Sequence, residues 1–267
     1  MNACEAFVDI HCHLLPGIDD GSQSWEQSLE MAAMAQSDGT ATIVTTPHQL
    51  GNYGHNDGQL IRAKTLELQQ QLDQHEIGLR VLPGADVRIE EGMVEKLCDG
   101  RVLTLADRGR HVLLELPHEL FFPMDDVLAR LRRVNMVGIL SHPERNQGLL
   151  KQPRIVESLI NHGCLMQVTC GSLMGIFGPA SQQMAEWMLQ QGFVHFLATD
   201  AHSPQSRRPL MRRAFERTVQ LVGEQIAVDL CCQNPAAVVE GQDIKILRYK
   251  PKPRSFLSSL FKRDKAA

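Results

Sequence analysis

Histidines and carboxylates recur in this sequence directly behind short apolar runs. The first pair is His11-x-His13, behind Phe7-Val8-Asp9-Ile10. Residues two apart on an extended chain point the same way, so both imidazoles can face one ion. Asp19-Asp20-Gly21 follows, a turn sequence that would fold the Asp20 carboxylate back beside them. Further along come Thr46-Pro47-His48, Gly84-Ala85-Asp86 and Leu114-Glu115-Leu116, then Ser141-His142-Pro143-Glu144-Arg145 and Thr199-Asp200-Ala201-His202. Each segment alone has a bland reading, since an H-x-H or an Asp-Gly turn is common. Their shared position at strand ends is what carries information. A carboxylate such as Glu115, set among apolar neighbours, is costly to bury without a cation.

His and carboxylate ligands without cysteine suit Mn, Fe or Zn, and Mg less well. His11, His13, Asp20, His48, Asp86, Glu115, His142, Asp200 and His202 exceed the needs of one ion. Two or three divalent ions are therefore expected, with Glu115 as a bridge. Clustered ions lower the pKa of a bound water to give a bridging hydroxide and clamp the oxygens of the attacked group, which fits phosphoester hydrolysis best. Arg145, three residues past His142, and Arg207, five past His202, are candidates to hold phosphate through guanidinium forks. Arg208 is an alternative to Arg207, and Arg88, sharing the face of Asp86, is a weaker candidate. The general acid is left open between His202 and a coordinated water. His55 and His118 are expected near the mouth of the site, whereas His75, His111, His162 and His195 read as ordinary packing residues.

The elements that would position these groups alternate. Strands are expected at Phe7–Ile10, Ala41–Thr46, Leu79–Val87, His111–Leu116, Met136–Ser141, Cys164–Thr169 and Phe193–Thr199. Helical patterns fall near Ser24–Ser37, Gln59–Gln74, Glu91–Leu97, Met124–Val134, Arg154–His162, Ser181–Gln190 and Leu210–Leu221, and Ser24 and Gln27 have the spacing of a capping box. Alternation at this pace implies parallel βαβ units closing into an α/β barrel of about seven strands, a single domain over 1–244. Parallel barrels build their sites at the C-terminal ends of the strands, where all of these ligands fall.

Composition narrows the function. The chain has 267 residues, with 27 Lys and Arg against 31 Asp and Glu, a net charge of −4 that argues against a nucleic-acid-binding surface. No run is long enough to span a membrane, and no export signal opens the chain, so a cytoplasmic location is expected. Seven scattered Cys read as reduced thiols. Neither a G-x-x-x-x-G-K-[ST] nor a G-x-G-x-x-G motif occurs, which excludes P-loop and dinucleotide chemistry. Residues 245–267 form a basic tail, with Phe256, Leu257, Leu260 and Phe261 at helical spacing. It reads either as a solvated terminus or as an amphipathic helix touching anionic lipid or a partner.

These segments resemble the polymerase and histidinol phosphatase (PHP) superfamily, and more closely its capsule-type, CpsB/CapC-like bacterial protein-tyrosine phosphatases. The resemblance rests on Asp9-Ile10-His11-x-His13-x-x-Pro16-Gly17-x-Asp19-Asp20-Gly21, Thr46-Pro47-His48, Leu114-Glu115-Leu116-Pro117, Ser141-His142-Pro143-Glu144-Arg145, Gln167-Val168-Thr169-x-Gly171-Ser172-Leu173, Asp200-Ala201-His202 and Ser206-Arg207, collinear over roughly 8–215. It implies a distorted (β/α)7 TIM-like barrel with a trinuclear manganese site. It also implies removal of phosphate from the tyrosine-bearing tail of a membrane-associated autokinase that controls capsule or exopolysaccharide synthesis, at the inner face of the cell membrane. His11, His13, Asp20, His48, Glu115, His142, Asp200 and His202 match ligand positions, and Arg145 and Arg207 match phosphate-binding ones. Two positions depart from the pattern: Asp86 stands where Glu is usual, which bears on the third ion, and Gln49 stands where many relatives carry a second His. A small-molecule phosphatase of the histidinol-phosphate kind and a non-catalytic kinase-docking module are the alternatives. Oligomeric state is left open.

Overall fold

The computed structural model describes residues 6–244. The expected basic tail at 245–267 lies outside the described residues. The strands are β1 (Phe7–Cys12), β2 (Thr40–Thr45), β3 (His48–Gln49), β4 (Arg80–Pro83), β5 (Asp86–Arg88), β6 (His111–Glu115), β7 (Val137–Ser141), β8 (Leu165–Thr169) and β9 (Phe196–Ala198). The main helices between them are α1 (Trp25–Asp38), α2 (Gly58–Gln74), α3 (Met93–Cys98), α4 (Asp125–Arg133), α5 (Gln147–Lys151), α6 (Ile155–Asn161), α7 (Cys170–Leu173) and α8 (Pro179–Gln191). After β9 come α9 (Arg212–Val222), α10 (Glu224–Val228), a π-helical turn at Asp229–Gln233 and α11 (Asn234–Val239). The last three elements are not apparent in the sequence pattern.

All strand pairs are parallel, in two sheets with orders β1-β2-β4 and β3-β5-β6-β7-β8-β9. Sequence reading takes Leu79–Val87 as one strand. The chain instead breaks after Pro83 and resumes at Asp86 in the other sheet, and β2 passes to β3 in the same way across Thr46-Pro47. A proline after the break removes a ladder donor, which accounts for the interruption at Pro47. The seven expected strands are thus present as β1, β2/β3, β4/β5, β6, β7, β8 and β9, divided over two sheets. The first and last meet through a parallel bridge between Cys12 and Ala201, and the Asp200 amide donates to the His11 carbonyl at 2.7 Å. A buried carboxylate ties the same seam: Asp9 accepts from the amide and hydroxyl of Thr199 and from the His11 amide. Burial raises the Asp9 pKa to about 6.

Side chains alternate along each strand, and one set changes character from bottom to top. Leu113, Ile139, Leu165, Phe196 and Ala198 pack with Ile10 and Val44 in one cluster, closed from below by Val238 and Val239 of α11. Two residues further along β6, β7 and β8, and beyond β9, the same face carries Glu115, Ser141, Gln167 and Asp200. The opposite set, including Val112, Leu114, Leu140, Met166 and Val168, packs in a second cluster with Met31, Leu68, Leu128 and Met188 of the surrounding helices. Helix α1 begins where expected: Ser24 Oγ accepts from the Gln27 amide, and Gln27 Oε1 reaches the Gln23 amide rather than that of Ser24. Five cysteines, Cys12, Cys98, Cys164, Cys170 and Cys231, are free, but Cys232 is disulfide-bonded, against the expectation that every thiol is reduced. Among the described residues no helix is long and apolar enough to cross a membrane.

Candidate metal centre

The strand tops converge. All nine residues singled out as ligands fall in overlapping groups whose donor atoms lie within 4.8 Å of one another: His13, Asp20, His48 and His202; His11, His142 and Asp200; His11, His13 and Asp86; and His48, Asp86 and Glu115. His11 and His13 bring their Nε2 atoms to 3.2 Å of each other, and Asp200 Oδ1 lies 3.2 Å from the first and 3.4 Å from the second. Asp86 Oδ2 stands 3.5 Å from both His11 Nε2 and His48 Nδ1. Glu115 Oε2 reaches His48 Nδ1 at 3.6 Å. On the open side, Asp20 Oδ1 is 3.3 Å from His48 Nε2 and 3.4 Å from His202 Nε2.

Three of the imidazoles are held by their other nitrogen. His11 Nδ1 donates to Gln167 Oε1 at 2.8 Å, His13 Nδ1 to Asp19 Oδ2 at 2.7 Å, and His202 Nδ1 to the Asp200 carbonyl at 3.0 Å. In a neutral ring, a proton fixed on Nδ1 leaves the Nε2 lone pair aimed inward, the arrangement that outer partners impose on metal-binding histidines; His13, raised to about 9, gives up its second proton when it takes a cation. Both oxygens of Asp86 are buried without a hydrogen-bond partner, and so are His48 Nδ1 and His202 Nε2. Unpartnered buried polar atoms are expensive. A divalent cation would satisfy them, and the sulfur-free nitrogen and oxygen donor set is of the kind that takes Mn, Fe or Zn.

The backbone is bent to make this site. His142 and Asp200 adopt left-handed conformations, with φ of 35° and 51°. Each such residue costs about 1–3 kcal/mol and persists where surrounding contacts enforce it. Gly21 has a different necessity. A Cβ there would stand 2.4 Å from the His13 carbonyl and Cβ, so only glycine lets the Asp19-Asp20 turn wrap His13 this closely.

Electrostatics follow from the packing. Burial opposes charge on His13, but the Asp19 carboxylate outweighs it and raises the pKa to about 9. Burial lowers His11 to about 3, and burial together with the charge on His13 lowers His202 to about 4. His142 is pushed well down by burial and by Arg145. Burial raises Asp86, reinforced by Glu115, whereas the imidazoles of His202 and His48 hold Asp20 low. Asp200 stays ionised despite burial because His11, His13 and Arg207 surround it.

Arg145 and Arg207 both reach this centre and donate to Asp200 Oδ2. Phe177 lies under them, its ring centroid 4.1 Å from the Arg145 guanidinium and 5.8 Å from that of Arg207. Arg208 points elsewhere, donating to the Gln205 carbonyl, so of the two neighbours Arg207 is the one at the site. Arg88 lies 3.7 Å from Glu115 and lines a cavity of about 230 Å³ with His48 and Tyr53. His118 lines a second cavity, of about 160 Å³, with His142 and Arg145. Exposed His55 lies beside Tyr53, at 6.1 Å between rings. His195 and His111 are buried away from the ligands, with pKa values lowered to about 4 by burial. His75 and His162 are at helix ends.

Sequence reading missed the supports. Asp19 sat in view beside Asp20, yet nothing local distinguishes a carboxylate that orients a histidine from one that joins it. Gln167 stands in a segment that carries the family resemblance, yet nothing in the sequence aims it at His11, and Phe177 carries no signal at all. Glu144 is also fully buried, accepting from the Thr169 amide and Ser172 hydroxyl, and so anchors the Arg145 loop to the top of β8.

Comparison with known proteins places the chain in a family. Residues 7–240 match the model of the family described as capsular polysaccharide synthesis, CpsB/CapC. The tyrosine-protein phosphatase YwqE of Bacillus subtilis is 30% identical over 248 residues, covering 92% of this chain and 96% of YwqE. The tyrosine-protein phosphatase CpsB of Streptococcus pneumoniae is 27% identical, covering 88% and 99% of the two chains. A crystal structure from work on YwqE and CpsB, described there as metal-dependent tyrosine phosphatases, superimposes with a TM-score of 0.86 at 29% identity over 92% of this chain and all of that one. The phosphotriesterase homology protein of Escherichia coli shares the fold alone, with a TM-score of 0.59 at 12% identity over 87% of this chain and 98% of that one. With the family model spanning nearly every described residue, the chain belongs to the CpsB/CapC family of capsular polysaccharide synthesis.

Proposed function

We propose that this protein is a metal-dependent protein-tyrosine phosphatase acting on the phosphotyrosine-bearing tail of a membrane-associated tyrosine autokinase in capsule or exopolysaccharide synthesis. The single observation that carries the reading is the convergence of nine nitrogen and oxygen ligands beside two arginines. The names of the relatives support the choice of phosphotyrosine.

His11, His13, Asp20, His48, Asp86, Glu115, His142, Asp200 and His202 would hold two or three divalent ions, manganese foremost. Ions held there would supply a hydroxide nucleophile at neutral pH and neutralise charge on the phosphoryl oxygens. Arg145 and Arg207 bind the remaining phosphoryl oxygens and stabilise charge as the phosphorus–oxygen bond breaks. Phe177 orients both guanidiniums through its ring face. The leaving phenolate, with a pKa near 10, asks little of a general acid. His202 is accordingly assigned as a ligand, because its Nδ1 is occupied by the Asp200 carbonyl and its Nε2 faces Asp20.

The test is turnover of a phosphotyrosyl peptide, a phosphoseryl peptide and a sugar phosphate by protein reconstituted with Mn²⁺. The phosphotyrosyl peptide is expected to have the highest kcat/KM. Preference for the small alkyl phosphate would overturn the assignment.

A further inference from the structure

We propose that a cavity of about 310 Å³ beside Arg207 is a specificity subsite for an acidic residue flanking the phosphotyrosine of the substrate peptide. The inference rests on the phosphatase reading above and adds which peptides the site selects. The cavity's apolar lining is Met174, Ile176, Phe177 and Leu210, and Ile176 is 59% exposed. Arg207, Arg208 and Arg213 line it too, and no Asp or Glu does.

These arginines differ from most on this surface. Arg62, Arg101, Arg110, Arg130 and Arg217 each pair with a carboxylate. Arg208 spends one N–H on the Gln205 carbonyl and meets no carboxylate among the described residues. Arg213 has no side-chain hydrogen bond or ion pair there. Arg208 and Arg213, like charges lining one cavity without counterions, form a site of positive potential, and the apolar residues that line it with them lower the local dielectric and strengthen it. The complementary occupant is a side chain with an aliphatic stem and an anionic end.

The position of the cavity makes that occupant part of the substrate. Phe177 is shared, its ring touching both arginines of the phosphate site and also walling the cavity. Thr199, next to Asp200, lines it as well. An extended peptide advances about 3.3–3.6 Å per residue. A residue a few positions from a phosphotyrosine seated between Arg145 and Arg207 therefore comes to the mouth of the cavity.

The experiment measures kcat/KM of the full-length, Mn²⁺-loaded protein on phosphotyrosyl peptides carrying Glu, Gln or Lys at each of three positions on either side. At one or more positions Glu is expected to exceed Gln by about tenfold, with Lys lower still, in a manner weakened by salt. In the double variant Arg208→Ala, Arg213→Ala the preference disappears, while turnover of p-nitrophenyl phosphate stays within about twofold of the parent. Arg213→Glu shifts preference towards Lys, which loss of structure alone would not do. Equal kcat/KM for the three peptides in the parent, or a preference that survives the double variant, overturns the subsite and leaves the phosphatase reading standing. Turnover of small alkyl phosphates with none of any phosphotyrosyl peptide overturns both.

Discussion

Replacing Asp19 by Asn tests the support beneath the proposed metal site without touching a proposed ligand. Asp19 is an acceptor at three points: from His13 Nδ1 at 2.7 Å, from the Gly21 amide at 2.9 Å and from the His48 amide at 3.1 Å. Asn has the same shape but one oxygen and one amide nitrogen. Whichever way it turns, an N–H faces an N–H. If the amide nitrogen meets His13, the ring gains a proton on Nε2 and loses the lone pair that points at the other ligands. If it meets Gly21, the turn that carries Asp20 loosens instead. Loss of an outer partner of this kind costs about 10–100-fold in metal affinity, or about 1.4–2.7 kcal/mol. The charged hydrogen bond lost is worth a similar amount, about 1.5–3 kcal/mol. Isothermal titration of the metal-free variant with Mn²⁺ is expected to show weakening in that range, with turnover largely restored at saturating metal. A dissociation constant within about twofold of the parent's would refute the idea that Asp19 presets His13.

Further expectations follow from the same geometry. Arg145→Ala and Arg207→Ala should each lower aryl phosphate turnover by about 10²–10³-fold, with an unchanged circular dichroism spectrum; near-parental rates in both would remove the arginines from the phosphate site. Gly21→Ala should lose bound metal, read by atomic absorption after dialysis, because its Cβ would strike the His13 carbonyl at 2.4 Å; full metal content would show that the turn yields. His195 is neutral in the fold, its Nδ1 accepting from the Met166 amide, and its pKa is lowered to about 4. Between pH 6.5 and 4 the unfolded chain takes up a proton that the folded protein does not, so stability falls with pH across that window, by about 3 kcal/mol at its lower end. His195→Asn keeps an acceptor for Met166 and should flatten the fall in urea denaturation of metal-free protein; an equally steep fall would place the acid sensitivity elsewhere.

How much of this was legible in one sequence depends on whether the information is local. His11-x-His13 declares itself because period two on a strand is a local rule, and the same holds for the apolar runs that end in Glu115, His142 and Asp200. Their convergence follows from the C-terminal face of parallel strands, a rule of the fold class. The break between Pro83 and Asp86 was not legible, because nothing in Leu79–Val87 says that its two ends pair in different sheets. The Asp9–Thr199 tie and the Gln167–His11 bond join residues 190 and 156 positions apart, and no spacing rule reaches that far. The same is true of Phe177 beneath the two arginines. Sequence patterning thus marks the groups that do chemistry, and leaves unmarked the polar partners that aim them.

The central claim is that side chains from six strand ends hold a cluster of divalent ions. Anomalous diffraction at the manganese edge, from crystals grown with Mn²⁺, addresses it most directly. The account predicts two or three peaks, about 3.5–4 Å apart, enclosed by His11, His13, Asp20, His48, Asp86, Glu115, His142, Asp200 and His202. A map with no peak among these residues, or with its manganese bound elsewhere on the surface, would contradict it.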